Sequence, residues 1–391
     1  MAIDQATVNL AADETAALVG RVFRPDVNGP SVVRILGGRV IDITATFPTV
    51  RDLCEAPKPA EALHATKGED IGSAEDFLKN SEAETQNPNK PYFLAPVDLQ
   101  ALKAAGVTFV VSMLERVIEE RIRGDASAAE GVRQRIFDLI GDDIRKLKPG
   151  SPEAAKLKSA LIEAGAWSQY LEVGLGPDAE IFTKGQPMSA VGPQADIGVH
   201  PASTWNNPEP EVVLVISSAG AIVGATLGND VNLRDVEGRS ALLLGKAKDN
   251  NGACAIGPFI RLLDDSFGLD DIRNLELSLR VDGPEGFLME GHSSMSQISR
   301  DPTDLAAQAL NEHHCYPDGL ILFLGTMFAP IQDRDEPGHG FTHKAGDIVT
   351  ISTPKLGALV NRVQPTNKAV PWTFGVSALM RNLAARGLLQ R

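Results

Sequence analysis

Short runs that alternate apolar and polar residues open the chain: Ala-Leu-Val19, Ser31-Val-Val-Arg-Ile-Leu36 and Arg39-Val-Ile-Asp-Ile-Thr44, punctuated by Asn28-Gly-Pro and Gly37-Gly38. A period of two broken by such residues predicts strands and turns, and the spacing predicts a small β-rich N-terminal domain over residues 1–64. Residues 65–92 hold few large apolar side chains and carry Asn87, Pro88, Asn89 and Pro91, which predicts a polar, acidic linker. Apolar runs return from Phe93 and end in Gly106-Val-Thr-Phe-Val-Val111, after which the period lengthens to that of a helix. Leu114, Val117, Ile118 and Ile122 share one helical face, Val132, Ile136, Leu139 and Ile140 a second, and Ala155, Leu157, Leu161 and Ile162 a third, with Gly150-Ser-Pro152 as a break. The pattern predicts a helical insertion at about 113–172 inside a catalytic domain spanning 93–391. Strands and turns follow from Val173 to about Thr353, and Ser377–Leu389 closes the chain as a helix. The fold class is α+β, mainly β.

Composition narrows the partners. The 391 residues are 43% hydrophobic, enough for a sizeable core, and carry a formal charge of −14. Nucleic acid and anionic membranes would be repelled. A small anion would then need a local positive centre, which a metal ion could provide. Cys54, Cys254 and Cys315 are odd in number and lack Cys-x-x-Cys spacing, so neither a disulfide framework nor a zinc ribbon is indicated. The N-terminus has no basic region ahead of an apolar run, and no stretch approaches the roughly 20 apolar residues of a membrane span. A cytoplasmic protein is expected.

The candidate chemistry gathers in Trp205-Asn-Asn-Pro-Glu209-Pro-Glu211-Val-Val-Leu-Val-Ile216, then Gly228-Asn229-Asp230, then Lys248. Glu209 and Glu211 are two apart, so on a strand both carboxylates point to one face and suit a hard divalent cation. Asp230 ends a second apolar run, Ala221-Ile-Val-Gly-Ala-Thr-Leu227, and supplies a third ligand if the two strands pair. The bland alternative is a solvated strand edge, which Pro210 would fit. Against it, the acidic pair enters directly on a buried-strand sequence. Lys248 is either a surface lysine or, beside a dication that lowers its pKa, a neutral amine base. Glu180 is either exposed or poised for proton transfer. Ser112-Met-Leu-Glu115 has the spacing of a helix capping box. Glu119 lies one turn beyond Glu115, and Arg116 or Arg123 would partner one of the two acids. His313-His314-Cys315 is a poor metal site, because adjacent strand residues face opposite sides. Gly174-Leu-Gly-Pro177 opens no dinucleotide loop, and Walker and nucleophile-elbow motifs are missing from the sequence.

Taken together, Glu-x-Glu, then Gly-Asn-Asp-Val-x-x-Arg-Asp, then Lys248 followed by Cys254-x-x-Gly-Pro258 is similar to the fumarylacetoacetate hydrolase family. The resemblance runs from about Leu94 to Val363, and Gly346-Asp347-Ile-Val, Leu356-Gly-Ala-Leu and Asn361-Arg-Val363 resemble that family's closing hairpin. It implies a β-roll of mixed sheets, a homodimer or homotetramer, and magnesium or manganese held by Glu209, Glu211 and Asp230. The family's lysine falls on Lys248 and the threonine of its Gly-Thr turn on Thr326, with Arg234 as the arginine of the Asn-Asp motif. Hydrolase members carry Asn-Tyr-x-x-His-x-x-Glu where this chain has Thr108-Phe-Val-Val-Ser112-Met-Leu-Glu115, so Ser112 replaces the histidine and the dyad that would activate a hydrolytic water is incomplete. The run instead resembles the family's sugar-acid branch. That implies removal of water from a 2-keto-3-deoxy-pentonate, a small sugar acid, to give 2,5-dioxopentanoate in pentose catabolism. A dication chelated by the substrate's C1 carboxylate and C2 ketone stabilises the enolate formed on losing a C3 proton. Lys248 is the preferred base, with Glu115 or Glu180 serving the C4 hydroxyl, or the roles exchanged. Ser112, Arg116, Arg234 and Thr326 are candidates to bind substrate. An acylpyruvate-type hydrolase or decarboxylase is the alternative on the same scaffold, and a non-catalytic, metal-stabilised binding protein the alternative outside enzymes.

Overall fold

The computed structural model describes residues 4–109, 113, 116–117, 147–163, 165, 167–328, 330, 332–336 and 340–389. The expected N-terminal strands form as β1 (Leu18–Arg24), β2 (Gly29–Leu36) and β3 (Arg39–Asp42). The stretch expected to be a linker differs from expectation: it carries β4 (Glu69–Ser73), which pairs with β3, and a helix, Ala74–Asn80. Phe77 and Leu78 are the reason. They are few but buried, packing with Leu18, Val33, Phe93 and Phe259 into one apolar cluster, and Ser73 caps the helix by accepting the Asp76 N–H.

The chain continues through β5 (Tyr92–Leu94), β6 (Ala101–Gly106), β7 (Glu180–Gly185), β8 (Asp196–Val199), β9 (Asn206–Asn207), β10 (Pro210–Ile216), β11 (Ile222–Asp230), β12 (Asn232–Leu233) and β13 (Cys254–Leu262). It ends with β14 (Glu276–Asp282), β15 (Leu288–Ser294), β16 (Leu320–Phe323), β17 (Ile348–Thr353) and β18 (Gly357–Pro365), then the helix Val376–Ala385. Eleven strands form one sheet in the order β4-β3-β2-β1-β13-β11-β10-β16-β6-β7, with β5 paired to β1. Five more form a second sheet, β15-β14-β17-β18-β8. Both are mixed, since β16 runs parallel to β6 and β18 parallel to β8 while the other pairs are antiparallel.

β10 is buried at every position. Its alternation explains how: Val212, Leu214 and Ile216 enter the core between the two sheets with Leu279 and Ile351, whereas Val213 and Val215 face Leu53 and Leu63 from the helices Val50–Cys54 and Pro59–Ala65. A strand covered on both faces reads as a continuous apolar run, which disposes of the wet-edge reading of Glu209-Pro-Glu211. Pro210 is tolerated because it is the strand's first residue.

Within the expected helical insertion, Pro152–Glu163 is a helix whose buried residues are Ala154 and Leu161, not the Ala155 and Ile162 of the expected stripe; Ile162 is 53% exposed. Met113 and Val117 pack with Leu161, Leu171 and Leu175. Ser112, Glu115 and the faces expected around Ile122 and Ile136 lie outside the described residues.

One segment ties the pieces near the site together. Ser299 donates its N–H and hydroxyl to the Thr108 carbonyl, and the Thr108 hydroxyl donates to the carbonyl of Leu324, next to Gly325. Buried Arg300 donates to the carbonyls of Val173, Gly176 and Pro177, closing the end of the helix Gln169–Leu175 just before Glu180.

Candidate metal centre

Pairing of β10 with β11 sets Glu211 opposite Gly228 and Pro210 opposite Asn229, which brings Asp230 beside Glu209. The Asp230 N–H donates to the Glu209 carbonyl at 3.0 Å, and the Glu209 N–H to Asn229 Oδ1 at 3.0 Å. Glu209, Glu211 and Asp230 each offer an oxygen such that all three lie within 4.8 Å of one another, and all three residues are buried. The expected ligands are therefore assembled by strand register alone.

Around them lie Ala105, Gly106, Val107, Arg116, Glu180, Phe182, Glu237, Lys248 and Thr326, lining one small pocket of about 20 Å³. Lys248 ends the short helix Leu244–Lys248 and is buried, so the surface-lysine reading falls. Its ammonium donates to Glu209 Oε2, and to Asp230 Oδ2 at 3.1 Å. Burial alone would lower its pKa, but Asp230, Glu209 and Glu237 outweigh burial and raise it. A lowered lysine pKa therefore rests on the dication alone, since the protein's own groups act the other way. Burial pushes Glu180 up to about 7, with Glu237 adding to the rise. Burial, then Asp230 and Glu209, holds Glu211 well above the usual carboxylate range, and burial also raises Glu209. Asp230 goes the other way: burial opposes ionisation, yet Lys184 and Lys248 hold its pKa down.

Glu180 starts β7, which pairs with β6 so that it faces Gly106. A Cβ on Gly106 would lie 2.0 Å from Glu180 Oε2, so only glycine leaves room for the carboxylate. Gly325 fixes the far side, its N–H donating to Glu211 Oε2 at 2.6 Å. Thr326 follows and lines the pocket, with its hydroxyl donating to the Phe328 carbonyl at 3.0 Å. Arg234 is placed elsewhere: it is not among the pocket-lining residues, stacking on Trp205 at 4.3 Å and donating to the Pro330 carbonyl. Arg116 is neither a surface charge nor a partner confined to its own helix. Its guanidinium reaches Glu209 Oε1 at 2.6 Å and Glu237 Oε2 at 3.1 Å. His313 and His314 are exposed and stand in no ligand cluster among the described residues.

Sequence reasoning missed three participants. Lys184 on β7 is enclosed, 2.8 Å from Asp230 Oδ1, and donates to the carbonyls of Lys248 at 2.5 Å and Val231 at 3.3 Å. Glu237 and Asn232 complete the ring with Arg116. Their signal was weak but present: a lysine within an apolar strand, an amide inside the Asn-Asp motif and an acid two residues beyond it.

Fully ionised, the five carboxylates at the site (Glu180, Glu209, Glu211, Asp230, Glu237) would outnumber the three cationic side chains (Arg116, Lys184, Lys248) by two among the described residues, and this crowding adds to burial in raising Glu180 and Glu211. A dication would offset that excess, and the all-oxygen set of Glu209, Glu211 and Asp230 is what a hard ion such as magnesium takes.

Residues 157–364 match the fumarylacetoacetate hydrolase C-terminal domain, just over half of the chain. The chain belongs to the fumarylacetoacetate hydrolase family. Among curated relatives it is 31% identical over 201 residues to a protein of Haloferax volcanii named "Probable 2-keto-3-deoxyxylonate dehydratase", a match covering 51% of this chain and 65% of that protein. It is 32% identical over 189 residues to 2-dehydro-3-deoxy-D-arabinonate dehydratase of Saccharolobus solfataricus, covering 48% and 60%. The chain thus spans under two thirds of the length of either relative. Solved structures of 2-keto-3-deoxy-D-arabinonate dehydratase share the fold: the apo form has a TM-score of 0.63 at 21% identity, and the form complexed with magnesium and 2,5-dioxopentanoate 0.62 at 22%, each covering 89% of this chain and 99% of the other. The expected mixed-sheet β-roll is the fold observed.

Proposed function

We propose that the chain is a metal-dependent hydro-lyase that removes water from 2-keto-3-deoxy-D-xylonate, or a closely related 2-keto-3-deoxy-pentonate, to give 2,5-dioxopentanoate. The observation that carries this reading is the convergence of Glu209, Glu211 and Asp230 at one buried locus with Lys248 and Glu180 beside it. The names of the two curated relatives support the substrate class, and the neighbour's magnesium complex supports the ion. A magnesium or manganese ion held by the three carboxylates would supply an electron sink for the enolate of a 2-keto acid.

The chain's own groups then divide the proton transfers. Glu180, held near neutrality, takes the proton from C3. Lys248, whose neighbours favour the ammonium form, donates to the departing C4 hydroxyl. This reverses the preference drawn from the sequence, because burial and charge act on these two residues in opposite senses. Phe182, whose ring lies 5.5 Å from Lys248 Nζ, helps hold that side chain toward the site.

The test is to incubate the purified protein with magnesium or manganese and 2-keto-3-deoxy-D-xylonate. A single five-carbon semialdehyde, lost on chelation, is expected, whereas two carbon fragments would mean hydrolysis and sink the reading. For the roles, 2-oxopentanoate has no hydroxyl to lose, so deuterium exchange at its C3 isolates the first step. Exchange should vanish in Glu180→Gln and persist in Lys248→Met; the opposite pattern would restore Lys248 as the base.

A further inference from the structure

We infer that Thr108 is a positioning residue for Glu211: its hydroxyl fixes the peptide between Leu324 and Gly325, and through that peptide it holds the carboxylate in the orientation a magnesium ion requires. The inference rests on the proposed metal site and deepens it, adding a residue that lies outside the pocket lining.

The Thr108 side chain is buried, and its hydroxyl donates to the Leu324 carbonyl at 2.5 Å. The N–H of that same peptide unit belongs to Gly325 and donates to Glu211 Oε2 at 2.6 Å. Among the described residues no other hydrogen-bond donor reaches Glu211. One planar amide thus carries a hydrogen bond at each end, and turning the plane to break one breaks the other. Hydrogen bonds in series also polarise one another, so the hydroxyl strengthens the N–H as a donor.

The surroundings are shaped for this contact. Gly325 lies at φ 100°, and a Cβ there would stand 2.0 Å from Thr108 Oγ1, so only glycine lets the hydroxyl reach the carbonyl. Val107 lies at φ 58°, a left-handed conformation that a β-branched residue adopts only where its surroundings impose it. The Thr108 carbonyl is held in turn by the N–H and the hydroxyl of Ser299, each at 2.8 Å. Thr108 is therefore anchored on its own backbone and cannot follow the peptide if the peptide turns.

Magnesium demands near-ideal octahedral geometry, whereas calcium accepts a larger and looser shell. A carboxylate with Oε2 pinned presents its other oxygen in one direction, which suits the smaller ion. Without the Thr108 hydroxyl the peptide gains freedom to rotate, Glu211 follows it, and magnesium loses more than calcium. A general loosening of the packing would weaken both ions alike.

The experiment measures magnesium and calcium binding to metal-free protein by calorimetry in wild type and three variants. Thr108→Val keeps the shape and loses the donor; it should weaken magnesium by about 10- to 100-fold, the usual effect of removing an outer partner of a metal ligand, and calcium by a smaller factor. Thr108→Ala removes the same donor without placing a methyl against the Leu324 carbonyl, and carries the same expectation should Thr108→Val not fold. Thr108→Ser restores the hydroxyl and should bind both ions as wild type does. Ser299→Ala loosens the same turn from its other side, and should lower the melting temperature while leaving the ratio of the two affinities unchanged. Equal losses of both ions on removing the Thr108 hydroxyl, no recovery in Thr108→Ser, or an equal shift of the ratio in Ser299→Ala would overturn the inference. The two readings fail distinguishably. Wild type that binds no magnesium overturns the metal site and this inference together, whereas magnesium binding that is the same with and without the Thr108 hydroxyl overturns the inference alone.

Discussion

The ammonium of Lys184 lies 2.8 Å from Oδ1 of Asp230, with both side chains enclosed. Lys248 takes the other oxygen, so each side of this carboxylate answers to a different lysine. Removing one partner of a buried pair leaves an uncompensated charge, at a cost of about 3–5 kcal/mol. Lys184→Met should lose stability of that order in chemical denaturation, because the carbonyls of Val231 and Lys248 lose their donor as well. A variant as stable as wild type would show that Lys184 contributes nothing net to holding Asp230.

Glu211 is the candidate ligand with the least cationic support: burial, then Asp230 and Glu209, raise its pKa, and Lys248 opposes them without prevailing. An ion bound there should stabilise the folded chain by mass action, about 2.7 kcal/mol at a hundredfold excess over Kd. Magnesium added to chelator-treated wild type should raise the melting temperature, and Glu211→Gln should abolish the rise while keeping the fold. An equal rise in both proteins would move the ion elsewhere.

Gly106 gives the most local test of Glu180. A methyl group there would sit 2.0 Å from Glu180 Oε2 and must displace the carboxylate. Misplacing a catalytic group by an ångström costs on the order of 100-fold in rate. Gly106→Ala should show that loss in turnover, with the magnesium-induced rise in melting temperature intact. Full turnover would exclude Glu180 from proton transfer.

Acid stability should depend on the buried group Arg334–Asp347–His343. Burial opposes the Asp347 charge, but Arg334 at 2.6 Å and His343 at 3.1 Å win and hold its pKa at about 2. A carboxylate depressed below its ordinary value contributes stability above that value and loses it as pH falls from about 4 toward 2. His343, lowered by burial, adds an earlier loss as pH falls below its ordinary 6.5. Denaturation midpoints across pH should therefore decline in two stages. Asp347→Asn should flatten the lower one, and an unchanged acid slope would remove this group from the acid response.

Much of this was legible in the chain because the signals were local. Glu209, Glu211 and Asp230 are set by strand period and one antiparallel register, and both are written in the alternation of Val212 to Ile216 and Ile222 to Leu227. Lys184 and Glu237 were not legible in the same way. Their importance comes from which oxygen they face across 46 and 28 positions of chain respectively, Lys184 meeting Asp230 and Glu237 joined to Glu209 through Asn232. The helix Ala74–Asn80 escaped because composition averaged over 65–92 hides two residues, Phe77 and Leu78, that suffice to pin one helix. Of the stripe Ala155, Leu157, Leu161 and Ile162, Leu161 and Leu157 do pack against Met113, Val117, Leu171 and Leu175, whereas the buried face is turned slightly, taking Ala154 in place of Ala155 and leaving Ile162 exposed.

The pairing of β1 with β13, through Leu18 opposite Arg261 and Val19 opposite Ile260, has a consequence for dissecting the molecule. β13 is buried at all nine of its positions and is the immediate neighbour of β11, which carries Asp230. The first strands of the chain therefore serve as the cover of an otherwise sticky border. Cutting them away would leave the strand that carries Asp230 one rung from an open seam, so the front of the chain acts as a selvedge for the sheet behind the candidate site.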